Sequence, residues 1–103
     1  MSGGYFDYNQ YRIQEIADTL RSLSSTKEGL EFLRDVTESS DGNRKQSEEN
    51  LKDFLVTIGY LADNLEACRI AVHRIDWLLS GDDAYETFVE RLKEDVDKFE
   101  EGL

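Results

Sequence analysis

The stretch that decides the fold is residues 47–83, "SEENLKDFLVTIGYLADNLEACRIAVHRIDWLLSGDD". Its apolar residues recur at steps of three or four, which is the spacing of one face of an α-helix. They are Leu51, Leu55, Ile58, Ala62, Leu65, Cys68, Val72, Ile75 and Leu79. Ser47 has the side chain of an N-cap residue. The pattern therefore predicts one long helix over about 48–79, with Gly59 as its weak point.

The end of this helix is marked by "SGDD", residues 80–83. Gly81 can adopt the positive φ that commonly ends a helix. Asp83 has the character of an N-cap, with Glu86 three residues later as in a capping box. Helical spacing then resumes in Tyr85, Phe88, Val89, Leu92, Val96 and Phe99. We therefore predict a tight turn and a C-terminal helix over about 83–101, antiparallel to the long one.

The apolar pattern predicts further helices in the N-terminal part of the chain, residues 1–37. Helical spacing is clear in Ile13, Ile16, Ala17, Leu20 and Leu23. A shorter apolar face follows at residues 30–36, where Gly29 leaves two possibilities open: a separate helix, or a continuation of the first through a kink. Residues 38–47, "ESSDGNRKQS", have the composition of a polar loop.

The chain contains no proline and little strand-like alternation. The predicted fold class is therefore all-α, a small helical bundle. We expect a single domain over residues 1–103, with N-terminal helices in 1–37, the loop in 38–47 and a long α-hairpin in 48–101.

Composition limits the functional classes. The 103 residues include 23 Asp and Glu against 12 Lys and Arg, a net charge of −11. This balance opposes direct binding to nucleic acid, which requires clustered cations. It suits a basic protein partner, imitation of DNA charge, or simple solvation. We expect no membrane association and no signal peptide, hence a cytoplasmic protein, because no apolar run is long enough and the first residues lack a basic start.

The sequence contains few residues that could support catalysis or metal binding. Cys68 is the only cysteine and His73 the only histidine, which excludes an internal disulfide and sites needing several thiolates or two imidazoles. Asp82 and Asp83 lack the alternating oxygen ligands of a calcium loop, and no phosphate-binding glycine loop is present. Cys68 lies on the apolar stripe and is expected in the core. We therefore expect no enzyme activity, no metal and no cofactor.

A second, polar stripe borders the apolar one on the long helix and consists of Arg69, His73, Asp76 and Ser80. Two interpretations stay open. In one, Asp76 pairs with Arg69 or His73 in an internal network. In the other, the stripe is the rim of a ligand pocket, with Arg69 as the anchor for an anion and Trp77 as a stacking surface. The candidate ligand-binding residues are Arg69, His73, Asp76, Trp77, Arg12 and Arg74.

Two segments carry a resemblance to a known group. "FDYNQYRIQEIAD", residues 6–18, and "RIDWLLSGDDAYETFVERLKED", residues 74–95, resemble small uncharacterised proteins encoded by tailed phages and prophages. Together they cover roughly a third of the chain. The resemblance implies a phage accessory protein acting in the cytoplasm of the bacterial host. By class, such proteins inhibit host enzymes, imitate DNA or sequester defence signals.

These observations lead to ranked hypotheses of function. The first is a non-enzymatic phage-type accessory or counter-defence protein, a homo-oligomer that captures a partner or a small anionic, nucleotide-like ligand at pockets between helices. The alternative is an acidic DNA mimic or inhibitor that covers a basic surface of a host or defence protein. A structural virion component is a third interpretation.

The prediction of an oligomer follows from the length of the long helix. About 32 residues span about 48 Å at 1.5 Å per residue, whereas a compact chain of this size is only about 35 Å across. Part of the apolar stripe should therefore project from the domain. The residues expected on that part are Leu51, Phe54, Leu55 and Ile58. Exposed apolar surface of this extent usually marks an interface.

Overall fold

The computed structural model describes residues 4–102. Within them the chain forms four α-helices: α1 (Gln10–Ser25), α2 (Lys27–Val36), α3 (Arg44–Leu79) and α4 (Tyr85–Glu101). No strand is present in this part of the chain. The predicted fold class, an all-α bundle with one long helix and a C-terminal helix, is confirmed. None of the helices in the described range is long and apolar enough to cross a membrane.

The start of α3 differs from the prediction. The helix begins at Arg44 rather than at residue 48, so Ser47 lies in its first turn and donates its amide to the Asn43 carbonyl at 2.9 Å. Asn43 takes the capping role, because its Oδ1 accepts the amide of Gln46 at 3.0 Å. The sequence pattern leaves residues 44–46 in the loop because an exposed helical turn carries no apolar signal.

The turn after α3 is built as the sequence predicts. Gly81 has φ +81°, and its amide donates to the Leu78 carbonyl at 3.1 Å. The Asp82 amide donates to the Trp77 carbonyl at 3.0 Å. This pair of hydrogen bonds is the Schellman arrangement that ends many helices.

The N-cap predicted for α4 is wrong. The helix begins at Tyr85 with Ala84 as the N-cap residue, and no side chain caps it. Asp83 instead turns inward: its side chain is only 5% exposed, and Oδ1 lies 3.5 Å from Nη1 of Arg91. The helix therefore begins two residues later than the predicted start at residue 83.

The chain divides into two compact units, which we call the central unit (residues 16–63) and the terminal unit (residues 4–15 with 64–102). The core of the central unit consists of Leu33, Leu51 and Ile58, with Leu20, Leu23 and Leu55 packed against it. This corrects one expectation, because most residues expected to project from α3 are covered by α2 through Leu33. The apolar residues that α3 does expose there are Phe54, Val56, Tyr60 and Leu61.

The open question about α1 and α2 is answered in the central unit. Thr26 interrupts the helix and caps α2, its side chain accepting the Gly29 amide at 3.0 Å. A Cβ on Gly29 would lie 2.3 Å from the Leu23 carbonyl oxygen. The glycine therefore allows the first turn of α2 to pack directly on the backbone of α1.

The terminal unit begins with a segment of turns, residues 4–9, that we call the hook. Two of its non-glycine residues, Asp7 and Tyr8, have positive φ values of 56° and 61°. Such a conformation is costly for these residues and must be held by other contacts. The hook leads into α1, and the rest of the unit is formed by the second half of α3 and by α4.

Candidate functional site

A groove of about 420 Å³ lies in the terminal unit between α3 and α4. It is lined from α3 by Glu66, Arg69, Ile70 and His73, and from α4 by Asp95, Lys98 and Phe99. The lining positions recur at steps of three or four, so each set occupies one helix face. The groove contains two of the six predicted site residues, Arg69 and His73.

Arg69 is held by one edge of its guanidinium group. Its Nε donates to Oε1 of Gln14 at 3.0 Å, and Nε2 of Gln14 donates to Oε1 of Glu66 at 2.9 Å. The Nη1 and Nη2 groups make no hydrogen bond or ion pair with any residue in the described range. An arginine fixed in this way keeps its Nη1 and Nη2 donors available to bind a carboxylate or phosphate through two parallel hydrogen bonds.

Lys98 is the second cation of the groove, and it is not among the residues predicted from the sequence. Its side chain is exposed, and it forms no ion pair with the described residues. By sequence, the basic residues of α4 look like part of an ordinary solvated helix face. The sequence does contain one indication of the groove: Asp95, Lys98 and Phe99 are spaced i, i+3 and i+4, so they share one face of α4.

Arg74, a predicted ligand residue, is occupied by a partner. Its Nε donates to Oδ2 of Asp95 at 2.5 Å and its Nη2 to Oδ1 at 3.3 Å. The hydrogen bond from Arg74 lowers the pKa of Asp95, and the same bond raises the pKa of Arg74. The guanidinium also lies 5.8 Å from the ring centroid of Trp77. Arg74 therefore ties α3 to α4.

His73 lies among aromatic rings and cations. Its ring centroid is 5.9 Å from that of Tyr11 and 5.6 Å from that of Trp77. Nδ1 is buried and has no hydrogen-bond partner in the described part of the chain. Burial, followed by the charges of Arg74 and Arg69, lowers the pKa of His73 against the opposing effect of nearby carboxylates. The imidazole is therefore neutral at pH 7.

The surroundings of Asp76 differ from both predictions, an internal pair with Arg69 or His73 and the rim of a ligand pocket. It is fully buried, and its carboxylate accepts the amides of Gly4 at 2.9 Å and Phe6 at 3.0 Å and the side-chain Nε2 of Gln10 at 3.2 Å. One turn later, Ser80 Oγ accepts the Tyr5 amide at 3.1 Å. Burial raises the pKa of Asp76, but the hydrogen bonds outweigh it and the net shift is downward.

Asp76 therefore anchors the hook rather than lining the groove, and its partner is neither Arg69 nor His73. The helix period explains the placement. Asp76 follows the buried Ala62 by fourteen residues, about four turns, so both lie on the same face of α3. The polar stripe thus divides between a groove and a buried anchor.

The remaining candidates lie outside the groove. Trp77 is half-buried and packs on His73 and Arg74, while Arg12 is exposed on α1. Cys68 is exposed, so its expected place in the core is wrong. No group of three or more metal-ligating side chains occurs within residues 4–102. Comparison with models of known families, with curated proteins and with solved structures finds no match.

Proposed function

We propose that the chain is a non-enzymatic binding protein that captures a small anionic, nucleotide-like ligand in the α3–α4 groove. One observation carries the proposal: Arg69 and Lys98 line the same groove, and neither forms an ion pair with a described residue. Arg21, Arg74 and Arg91 each form an ion pair with an aspartate, and what distinguishes Arg69 and Lys98 is that both line one groove. Two cations in one concave site favour an anionic ligand, which would bind beside the carboxylates Glu66 and Asp95 of the same groove.

The remaining groove chemistry supports a ligand with an apolar part. A volume of about 420 Å³ falls within the range of small-molecule sites. Ile70 and Phe99 supply apolar lining, and Phe99 makes no ring contact with another aromatic residue in the described range. This combination of cations and apolar surface suits a charged group attached to a hydrophobic or planar body.

The proposal also includes a cellular location, the cytoplasm of an infected bacterium, and self-association of the chain. The resemblance of residues 6–18 and 74–95 to phage-encoded proteins supports an accessory or counter-defence role in the cytoplasm of an infected bacterium. Self-association would use the apolar side chains that α3 exposes in the central unit. Val56 and Tyr60 are 71% and 69% exposed, and they lie one turn apart.

The proposal is tested by titrating isotopically labelled protein with inorganic phosphate, benzoate and adenosine monophosphate at low salt, followed by amide NMR shifts. Shifts should map to the groove. Lys98→Ala should weaken binding by about 10- to 100-fold, because a charge-assisted contact contributes about 1.5–3 kcal/mol. Lys93→Ala is the matched control: it removes the same charge from an exposed site on α4 outside the groove.

Equal losses in Lys98→Ala and Lys93→Ala would mean a diffuse electrostatic effect, and an absence of groove shifts with all three anions would refute the proposal. Native mass spectrometry of the protein from expressing bacterial cells would report retained ligand and copy number together. A single copy at micromolar concentration would remove self-association from the proposal.

The second candidate is an acidic mimic that covers a basic protein surface. Its supporting observation is the exposed acidic side of α4, which carries Glu86, Glu90, Glu94, Asp97, Glu100 and Glu101. Contacts made by exposed carboxylates weaken steeply with salt, whereas ligand capture in a groove responds less. Reversing the charges of Glu90, Glu94 and Asp97 should abolish mimicry and leave the groove titration unchanged.

A further inference from the structure

We infer that a cleft between the C-terminal end of α2 and the first half of α3 docks a basic amphipathic helix of another protein. This α2–α3 cleft lies in the central unit and has a volume of about 580 Å³. The residues that carry the inference are Val36, Glu38, Asp53 and Phe54, which all line it. The inference goes beyond the anion site, because the cleft shares no residue with the α3–α4 groove.

The apolar part of the cleft is accessible. Val36 is 55% exposed and Phe54 is 40% exposed, although each belongs to a helix whose opposite face is packed in the core. Leu61 is also exposed and follows Phe54 by seven residues, so it lies on the same side of α3 two turns further on. Large apolar side chains gathered along a concave surface are typical of a contact with a partner.

The charged residues that line the cleft, Glu38 and Asp53, are both acidic. Neither carboxylate forms a hydrogen bond or an ion pair with another residue of the described range. The α3–α4 groove differs in this respect, because Arg69 and Lys98 line it. The rim of the cleft therefore favours an occupant of positive charge, since like charges that face each other across an interface are unfavourable.

This charge pattern selects the occupant. A second copy that docked symmetrically through the cleft would bring Glu38 and Asp53 against the same two carboxylates, and the phosphates of a nucleic acid would meet them as well. A helix with an apolar stripe flanked by Lys or Arg matches both parts of the lining. Its apolar side chains, spaced by three or four residues, can pack along Phe54 while the flanking cations reach the two carboxylates.

Hydrogen bonds fix the walls of the cleft before a partner arrives. Nδ2 of Asn50 donates to the Thr37 carbonyl at 3.1 Å, which ties the end of α2 to α3. Oγ1 of Thr37 donates to the Leu33 carbonyl at 2.7 Å, and Leu33 belongs to the same core cluster as Leu51. The cleft therefore needs little ordering when the partner binds, which favours docking.

The test titrates isotopically labelled protein at physiological salt with a synthetic helical peptide of Leu and Lys that has one apolar and one cationic face. Amide and ring NMR shifts should map to the cleft. Phe54→Ala should weaken binding by about tenfold. Glu38→Gln combined with Asp53→Asn should weaken it by about fivefold. This second variant changes only exposed side chains, so it keeps the fold even if loss of the Phe54 ring does not.

Each variant has a matched control. Val56→Ala removes an apolar side chain that is 71% exposed on another face of α3, outside the cleft. Glu31→Gln combined with Glu49→Gln removes two charges from exposed positions of α2 and α3 that do not line the cleft. Both controls should bind the peptide as the parent does. A Leu and Glu peptide of the same pattern should not bind, and phenethylammonium tests for a small hydrophobic cation as the occupant.

Binding of the Leu and Lys peptide that maps to the cleft and depends on Phe54 and on the two carboxylates supports the inference. Shifts spread over the acidic side of α4, or equal losses in the control variants, would mean diffuse attraction and would overturn it. So would equal binding of the Leu and Glu peptide, binding of phenethylammonium alone, or no binding at all. The anion titration of the α3–α4 groove tests the proposed function separately, so the two can fail independently.

Discussion

Replacing Asp76 with asparagine should destabilise the protein more than removing any single charge of the groove. Asparagine preserves the shape of the side chain but removes the negative charge and places an NH₂ group where the structure needs an acceptor. The aspartate is fully buried and receives three hydrogen bonds, from the Gly4 and Phe6 amides and from Gln10. The variant can satisfy only part of this set.

The magnitude follows from the hydrogen bonds that the substitution weakens or removes. A hydrogen bond to a charged group contributes about 1.5–3 kcal/mol, and a neutral one about 1 kcal/mol. Losing the charge on two backbone bonds and one of the acceptors should therefore cost about 3–5 kcal/mol. The destabilisation should lie at the lower end of this range if the hook detaches, because water then accepts the hydrogen bonds of its amides. For a chain of this size each kcal/mol lowers Tm by about 4–8 °C, so a drop of roughly 15–30 °C is expected.

Urea unfolding followed by circular dichroism measures the effect. Asp97→Asn is the matched control, because it removes the same charge from an exposed position on α4. Since the folded pKa of Asp76 lies below its ordinary value of 3.8, the stabilisation is complete above about pH 4 and is lost as the pH falls through the folded pKa. The gap between the parent and Asp76→Asn should narrow in that acid range. A gap below about 1 kcal/mol at pH 7, or one that does not change with pH, would refute the reasoning.

Gly29→Ala should destabilise by about 1–3 kcal/mol, because the new Cβ would lie 2.3 Å from a carbonyl oxygen of α1. Gly59→Ala, whose Cβ meets nothing within 4 Å, should stabilise by about 0.5–1 kcal/mol, and equal thermal melts would contradict the argument. Arg74→Ala should cost about 1–3 kcal/mol, and most of this loss should vanish in an Asp95→Ala background; strict additivity would mean that the pair contributes nothing. His73→Gln should remove a loss of stability as the pH falls below 6.5, because the lowered pKa means that the unfolded chain takes up the proton first. Parallel pH profiles of the two proteins would exclude this role.

The long helix and its end were predictable because their signals are local. An apolar residue at every third or fourth position over about eight turns admits no other regular structure, and Gly81 lies where positive φ is needed. The start of α3 was not predictable because residues 44–46 form an exposed turn, for which the hydrophobic pattern gives no information. Asn43 and Ser47 are both acceptable caps by residue type, so only the backbone geometry distinguishes them.

The anchor of the hook could not be predicted from the sequence in the same way. Asp76 is polar, so a pattern based on apolar residues places it beside the buried face rather than on it. Its partners are backbone amides about seventy positions away, and backbone amides carry no residue-type signal. The fourteen-residue interval from Ala62 was the available clue, but helical phase alone does not identify a buried carboxylate when the groups that donate hydrogen bonds to it are unknown.

Asp76 pairs with neither Arg69 nor His73, but hydrogen bonds through α1 connect it to the groove. Asp76 binds Gln10 and thereby fixes the first turn of α1. Gln14 lies one turn further along the same face of α1, where it accepts from Nε of Arg69 and donates to Glu66. The direction of the Arg69 guanidinium thus depends on how α1 is seated, which the buried carboxylate controls from outside the groove. If the groove binds an anion as we propose, orienting Arg69 before the ligand arrives would reduce the entropy lost on binding, which would give a physical reason for a fully buried charge in a small domain.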